Sequence, residues 1–492
     1  MLGHQKYKFT LSKHKILKGK RVVFTRFKQL ICNRYVVIAC ALAVVFVAGG
    51  QYNKIKNTPD LHRLYMQSAA VTDQPPVVFI HGVMGSKLRD KISGEELWVG
   101  SLDRILFSNY SDLALEIDPE TLEPKPSSIE AFAIADNAIG KDFYGKIIRT
   151  LADVGEYKFV NIGEKVDKTQ KNYYVFYYDW RQDNASTASR LADFIDQIRI
   201  DYDDPSLKVD IVAHSMGGLL ARYYIRYGRE DVLNSNDFPV NMYGGQRVRR
   251  VILLGTPNLG SVKILNLFIE GVQLGTNEKI HTETLATMPS LFQLFPHPLN
   301  NWIVTSAGKP LDRDLFNVNL WRRFQWSIFD PIVRERIRSK FNNKKEADDY
   351  LVVLEKYFEK CLERARRFVW SLTVPLPEDH PKLIVFGSAC YLTPARIVVE
   401  EVDGDSEIRM YPNEITQSVQ GVDYDALLLE PGDGSVTKAS LLGREVLDPS
   451  IPRHKYSYFP IDHAIFLCEK HNSLTANVNF QDNLLNELLS RD

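Results

Sequence analysis

The chain has 492 residues, 45% hydrophobic and 25% charged, a composition that excludes a disordered or fibrous protein and leaves room for one large domain or a few average ones. Its 61 Lys and Arg balance its 61 Asp and Glu, so net charge gives no general attraction to nucleic acid, and no nucleic-acid partner is expected. The charge is unevenly spread: residues 1–34 carry ten basic side chains and no acidic one, leaving 51 basic against 61 acidic residues beyond them.

Tyr35 to Gly50 follows that basic stem directly and contains no charged residue. As a helix it would span about 24 Å, somewhat less than the ~30 Å hydrocarbon core, with Arg34 snorkelling and Tyr35 and Tyr52 at the interfaces. The expectation is a cytosolic stem over residues 1–34, a single transmembrane anchor over 35–52, and everything beyond it across the membrane, as the positive-inside rule requires. A cleaved signal peptide ending near Ala48-Gly49-Gly50 is the alternative, for which the basic lead is long. A polar linker over 53–74 then leads to a body over 75–492.

Short apolar runs recur in the body at Val77–Ile80, Tyr173–Tyr178, Val209–Ala213, Val248–Leu254 and Leu383–Phe386. Most lack polar alternation, as strands of a parallel sheet buried on both faces do. Helical patterns stand between them at Ser186–Ile200 and Met216–Tyr227, so the body is expected to be an α/β domain with a mostly parallel sheet covered by helices. Two long stretches interrupt the rhythm, residues 86–170 and 262–380, and are expected to form a lid and a cap. The second contains an amphipathic helix over Asp349–Trp370 and apolar clusters at Ile264–Phe268, Leu291–Phe295 and Trp321–Phe329. Of the five cysteines, Cys361, Cys390 and Cys468 lie in the body, enough for one disulfide and one free thiol. The sequence does not choose the pair; Cys390 with Cys468 is the working assignment.

Ala213-His214-Ser215-Met216-Gly217 joins the third run to the second helical pattern, the context of a nucleophile elbow with Ala in the first small position. Small residues two places either side let strand and helix crowd together while the Ser215 hydroxyl is exposed. His81-Gly82-Val83-Met84-Gly85-Ser86, after the first run, supplies a second tight turn. The N–H of Val83, or one residue on of Met84, can converge with that of Met216 on an oxyanion. His81 is expected to brace this turn. An elbow enzyme orders its triad Ser, acid, His. Asp433, between Gly432 and Gly434, is the best acid candidate, while Asp403, Asp405, Asp423 and Asp425 fit turns. His454, His463 and His471 all satisfy the order; His471 stands in a loop before the final helical pattern, near Asp482–Leu489, with His463 the runner-up. No metal-ligand spacing appears, and no cofactor is expected.

These motifs together resemble the lecithin:cholesterol acyltransferase family. The resemblance also rests on Glu96-Leu97-Trp98, Tyr178-Asp179-Trp180-Arg181, Leu254-Gly255-Thr256-Pro257, Met288-Pro289-Ser290 through Pro296, and Ala476-Asn477 after His471. It implies an α/β-hydrolase fold, a triad of Ser215, Asp433 and His471, and a membrane-contacting lid around Trp98, with Met84 beside the substrate. It further implies a phospholipid or other lipid ester as substrate, cleaved through an acyl-enzyme and passed to water or a lipid alcohol. Asp179 and Arg181 are expected to pair and brace their turn. A small-ester carboxylesterase, or an inactive membrane-anchored scaffold that only binds, are the competing readings. Oligomeric state is not legible.

Overall fold

The computed structural model describes residues 59–135, 137–138, 141–273, 280–443 and 459–490. The expected stem and anchor and the start of the linker, residues 53–58, lie outside these residues, as does His454; the rest of the linker is not a plain polar connector but contains the helix Leu61–Ala69. Among the described residues, no helix is long and apolar enough to cross a membrane.

Seven strands form the central sheet: β1 (Val77–Ile80), β2 (Lys158–Phe159), β3 (Asn172–Phe176), β4 (Val209–His214), β5 (Val248–Leu254), β6 (Lys382–Ser388) and β7 (His463–Leu467). Their spatial order is β7-β6-β5-β4-β1-β3-β2, and every pairing is parallel. Five of the seven coincide with the apolar runs of the sequence. The edge strands β2 and β7 do not: Lys158 and Phe159 are exposed, and β7 keeps His463, Ala464 and Phe466 exposed because it has a neighbour on one side only.

Alternate residues of the inner strands feed two separate cores. Val78, Ile80, Ile211, Ala213, Val251, Leu253, Leu383 and Val385 pack on one face with helices α2 (Asn184–Asp201) and α3 (Met216–Tyr227). Val77, Phe79, Val212, Ile252, Leu254, Ile384 and Phe386 pack on the other with Phe480, Leu484 and Leu488 of α5 (Val478–Leu489). Each such side chain, fully buried, contributes roughly 1.5–3 kcal/mol, which explains why these strands carry no polar alternation. The short helix α1 (Leu61–Ala69) lies against α5, where the Tyr65 hydroxyl donates to the Asp482 carbonyl at 2.7 Å.

Residues 86–134 include a three-stranded antiparallel sheet of Ser86–Asp90, Glu96–Trp98 and Ile129–Ile134. The stretch after β5 contains α4 (Lys344–Ser371), longer at its start than the apolar pattern because its first turns are polar and capped by Asn343. The apolar clusters of this stretch meet one another: Phe268, Phe292, Phe295, Trp321 and Phe358 are all fully buried, with Phe292 and Phe358 ring centroids 4.9 Å apart. They form a closed core rather than a groove, so their abundance says nothing about a substrate.

The α3 and α4 helices are fastened end to side. Arg222 Nη2 donates to the Leu372 carbonyl at 2.5 Å, Arg226 Nε to Val374 at 3.1 Å, and the Tyr227 hydroxyl to Ser371 at 2.7 Å. Three donors thus meet the carbonyls at the negative end of α4, where cationic side chains are favoured.

Candidate active site

Strand register sets the site. Ile80 lies beside Ala213 and His214 beside Leu254, so β1, β4 and β5 end at one level and the turns that follow them come together. Ser215 occupies the turn from β4 to α3 at φ 55°, ψ −125°, and its N–H donates to the Leu254 carbonyl at 2.8 Å. A side chain at φ above zero is strained, and here the close packing of two turns holds it. A Cβ added at Gly82 would stand 2.8 Å from that of Ser215, and one at Gly217 would press on the carbonyls of His81 and Ile80.

His471 Nε2 lies 3.0 Å from Ser215 Oγ, and its Nδ1 lies 2.7 Å from Asp433 Oδ2. Asp433 is buried, and its other oxygen accepts the N–H groups of Ser435 and Val436 at 2.8 and 2.7 Å. Burial works to raise this carboxyl, but the His471 ring and the two backbone donors outweigh it and hold Asp433 below the usual aspartate range. The acid and base loops are tied directly, the His471 N–H donating to the Asp433 carbonyl at 3.0 Å. Ser261 Oγ and Lys263 Nζ donate to the carbonyls of Ser435 and Gly434 at 2.6 and 2.9 Å, pinning the acid turn. Cys390 and Cys468 form a disulfide that joins the segment after β6 to the end of β7, a few residues before His471; Cys361 is free and buried.

The runner-up base is elsewhere: His463 begins the edge strand β7, exposed, 3.9 Å from Glu487. Of the remaining acids, Asp403 occupies a turn at φ 54° between the paired strands Ile397–Val402 and Asp405–Arg409, and Asp423 caps a short helix through the Ala426 N–H; Asp405 instead begins the second strand and Asp425 lies within the helix Tyr424–Leu428.

The turn carrying Val83 and Met84 is braced from several sides. His81 Nδ1 donates to the Gly82 carbonyl at 2.8 Å, its ring stacks on Tyr178 at 4.1 Å, and the Tyr178 hydroxyl returns to the His81 carbonyl at 2.7 Å. Met84 stands at φ 60° with its carbonyl accepting Trp98 Nε1 at 3.0 Å. Trp98 itself is buried against Tyr110 and Trp180, so any surface this region presents comes from other side chains. Its indole N–H needs a buried acceptor, and the Met84 carbonyl is the one it finds. Among the described residues of 86–134, the exposed large apolar side chains are Ile92 and Phe107.

Asp179 and Arg181 form the expected pair, bidentate at 2.8 and 2.7 Å with Arg181 fully buried. The Met288–Pro296 block docks on the following turn, where Ser290 Oγ donates to Trp180 at 2.5 Å and Gln293 Oε1 accepts from Asn184 N at 2.9 Å.

Two groups at the site carry no sequence signal of their own. His214 and Tyr144 are buried, with the Tyr144 hydroxyl 2.9 Å from His214 Nδ1 and 3.0 Å from the Gly82 nitrogen. Burial holds His214 down to about 3 and His81 to about 4, so both rings are neutral and neither is a base at ordinary pH. Among the described residues, no cluster of His, Cys, Asp and Glu has the makings of a metal site.

A parallel sheet with a serine at the sharp strand-to-helix turn, beside a histidine that is in turn hydrogen-bonded to an aspartate, in the chain order Ser, Asp, His, is the arrangement of the α/β-hydrolase fold. Residues 149–363 match the family model of lecithin:cholesterol acyltransferase. The match includes Ser215 and the Met288–Pro296 block and ends before Asp433 and His471, whose place rests on geometry. Among solved structures, the Tle4-Tli4 complex superimposes with a TM-score of 0.51 at 15% identity, covering 85% of this chain and 98% of that one, and shares the fold. The mature Bacillus licheniformis lipase BlEst2 aligns at 12% identity and TM-score 0.30, covering 85% and 92% of the two chains. EstA from Clostridium botulinum aligns at 14% identity and TM-score 0.33, covering 89% and 93%.

Proposed function

We propose that the chain is a serine-dependent lipid acyl hydrolase or acyltransferase. The observation that carries this reading is the continuous line from Ser215 Oγ through His471 to Asp433, at 3.0 and 2.7 Å, within a fold whose family match is to an acyltransferase. His471 takes the Ser215 proton as Oγ attacks the ester carbonyl, and Asp433 fixes the ring and balances its charge. The N–H groups of Val83 and Met216 hold the oxyanion. Its collapse breaks the ester bond and expels the alcohol, which leaves with the proton from His471. Water or a lipid alcohol, deprotonated by His471, then attacks the acyl-serine and releases free acid or new ester.

A lipid ester is the substrate class that fits the family, and the basic stem with its apolar run supports delivery to a membrane surface, with the catalytic body on the extracytosolic side. The exposed Ile92 and Phe107 support reading the first part of the 86–170 stretch, residues 86–134, as the lid that meets the lipid, the remainder joining the central sheet and its core. The test is product analysis by mass spectrometry from a phospholipid with a labelled acyl chain, with and without an added long-chain alcohol. The expected products are labelled fatty acid alone in the first case and additional labelled ester in the second if transfer is catalysed. No Ser215-dependent release from any lipid ester, with release from short soluble esters intact, would make the chain a small-ester carboxylesterase instead.

A further inference from the structure

We infer that Tyr144, acting with His214, is a positioning residue that sets the oxyanion turn relative to the catalytic base. This rests on the hydrolase reading above and extends it to two side chains outside the triad and the oxyanion donors. The Tyr144 hydroxyl has a single hydrogen and two polar neighbours, the Gly82 nitrogen at 3.0 Å and His214 Nδ1 at 2.9 Å. Gly82 can only donate, so Tyr144 accepts from it and donates to His214 Nδ1. His214 then carries its hydrogen on Nε2, which faces the His471 carbonyl at 3.4 Å. One tautomer satisfies every link of a buried chain running from the oxyanion turn to the backbone of the base.

The consequence follows from peptide geometry. Gly82 is held on both sides, its N–H by Tyr144 and its carbonyl by His81 Nδ1 at 2.8 Å and the Gly85 N–H at 3.2 Å. That carbonyl shares a planar trans peptide with the Val83 N–H, and in such a unit the two point in opposite directions. Pinning Gly82 therefore aims the Val83 N–H, the proposed oxyanion donor. Tyr144 arrives from the far side of the lid stretch, and its ring is fixed edge-on to Phe79 at 5.4 Å and to His214 at 5.6 Å. The Phe79 contact thus holds the ring by packing outside the chain that the hydroxyl completes.

The experiment compares wild type, Tyr144→Phe and His214→Phe on p-nitrophenyl octanoate, with rates divided by active sites counted from fluorophosphonate labelling of Ser215. Tyr144→Phe keeps the ring and removes only the hydroxyl. The expected result is a fall in kcat of about tenfold per labelled site with KM within twofold, since a misaimed oxyanion donor weakens the transition state more than the bound ester. His214→Phe should fall by a similar factor, and the double variant no further, because the chain is already broken. A purely structural role would lower melting temperature and the number of labelled sites without changing the rate at each. Wild-type kcat per site in Tyr144→Phe overturns the inference, and if that variant does not fold, the same result in His214→Phe does. Failure of wild type to label at Ser215 would sink the hydrolase reading itself, a distinct outcome.

Discussion

Ser215 holds its φ of 55° because the backbone around it leaves no other place for strand, helix and oxyanion turn to meet. Gly217 has no room for even one carbon: the atoms it would strike are the backbone carbonyls of His81 and Ile80, which cannot rotate away. Gly217→Ala is expected to cost about 1–3 kcal/mol, read as a lower urea midpoint, with activity lost beyond what the folded fraction explains. A second residue-level test concerns pH. Glu283 is buried, which alone would raise its carboxyl, but the Arg336 fork at 2.9 and 2.8 Å and Lys340 at 3.1 Å bring it down to about 2 from 4.5. Lowered in the folded state, it contributes stability that is fully present above about 4.5 and lost as pH falls towards 2. Melting temperature should therefore drop across that window, and Glu283→Gln should flatten the drop. At this level the sequence was informative for groups whose neighbours along the chain constrain them. Ser215 between small residues and Asp433 between glycines could be singled out; chain order left three histidines, and the loop before the last helix separated His471 from His463. Tyr144 could not be found, because its partners lie 62 and 70 residues away and nothing local marks it.

The α2 helix depends on a single carboxylate. Asp183 caps its first turn through the Ser186 N–H at 3.1 Å, accepts Gln293 Nε2 at 2.6 Å, and receives both arms of Arg364 from α4 at 2.8 Å. Burial acts to raise Asp183, and Arg364 foremost among its partners reverses that. Arg364→Met should leave a largely buried charge without its counter-ion and destabilise the protein by about 3 kcal/mol. Adding Asp183→Asn should recover part of the loss, a pattern visible in paired denaturation curves. Helices of this kind were readable from their apolar spacing, since α2 and α3 cover one sheet face and must present a stripe to it. The inner strands were readable for the complementary reason, being buried on both faces. The edge strand β7 was not, because its exposed side breaks the run.

Across the molecule, the acid and the base reach Ser215 from segments far apart in the chain, and the Cys390–Cys468 disulfide closes a loop of 78 residues that contains Asp433 and ends just before His471. The bond should contribute about 4 kcal/mol on loop length alone, and Cys390→Ser with Cys468→Ser should lower the melting temperature in oxidising buffer while leaving it insensitive to added reductant. Composition identified the long insertions as ordered without telling their role: aromatic residues packed for a core and aromatic residues lining a groove look alike in sequence, and the closed packing of Phe292, Trp321 and Phe358 separates the two. The proposed function stands on Ser215 as nucleophile with His471 as its base. Fluorophosphonate labelling of the folded protein, with the adduct located by peptide mass spectrometry, tests this most directly. The expected result is one adduct on the Ser215 peptide, absent in Ser215→Ala, strongly slowed in His471→Ala and unaffected in His463→Ala; an adduct on another serine, or one that forms at wild-type speed without His471, would contradict it.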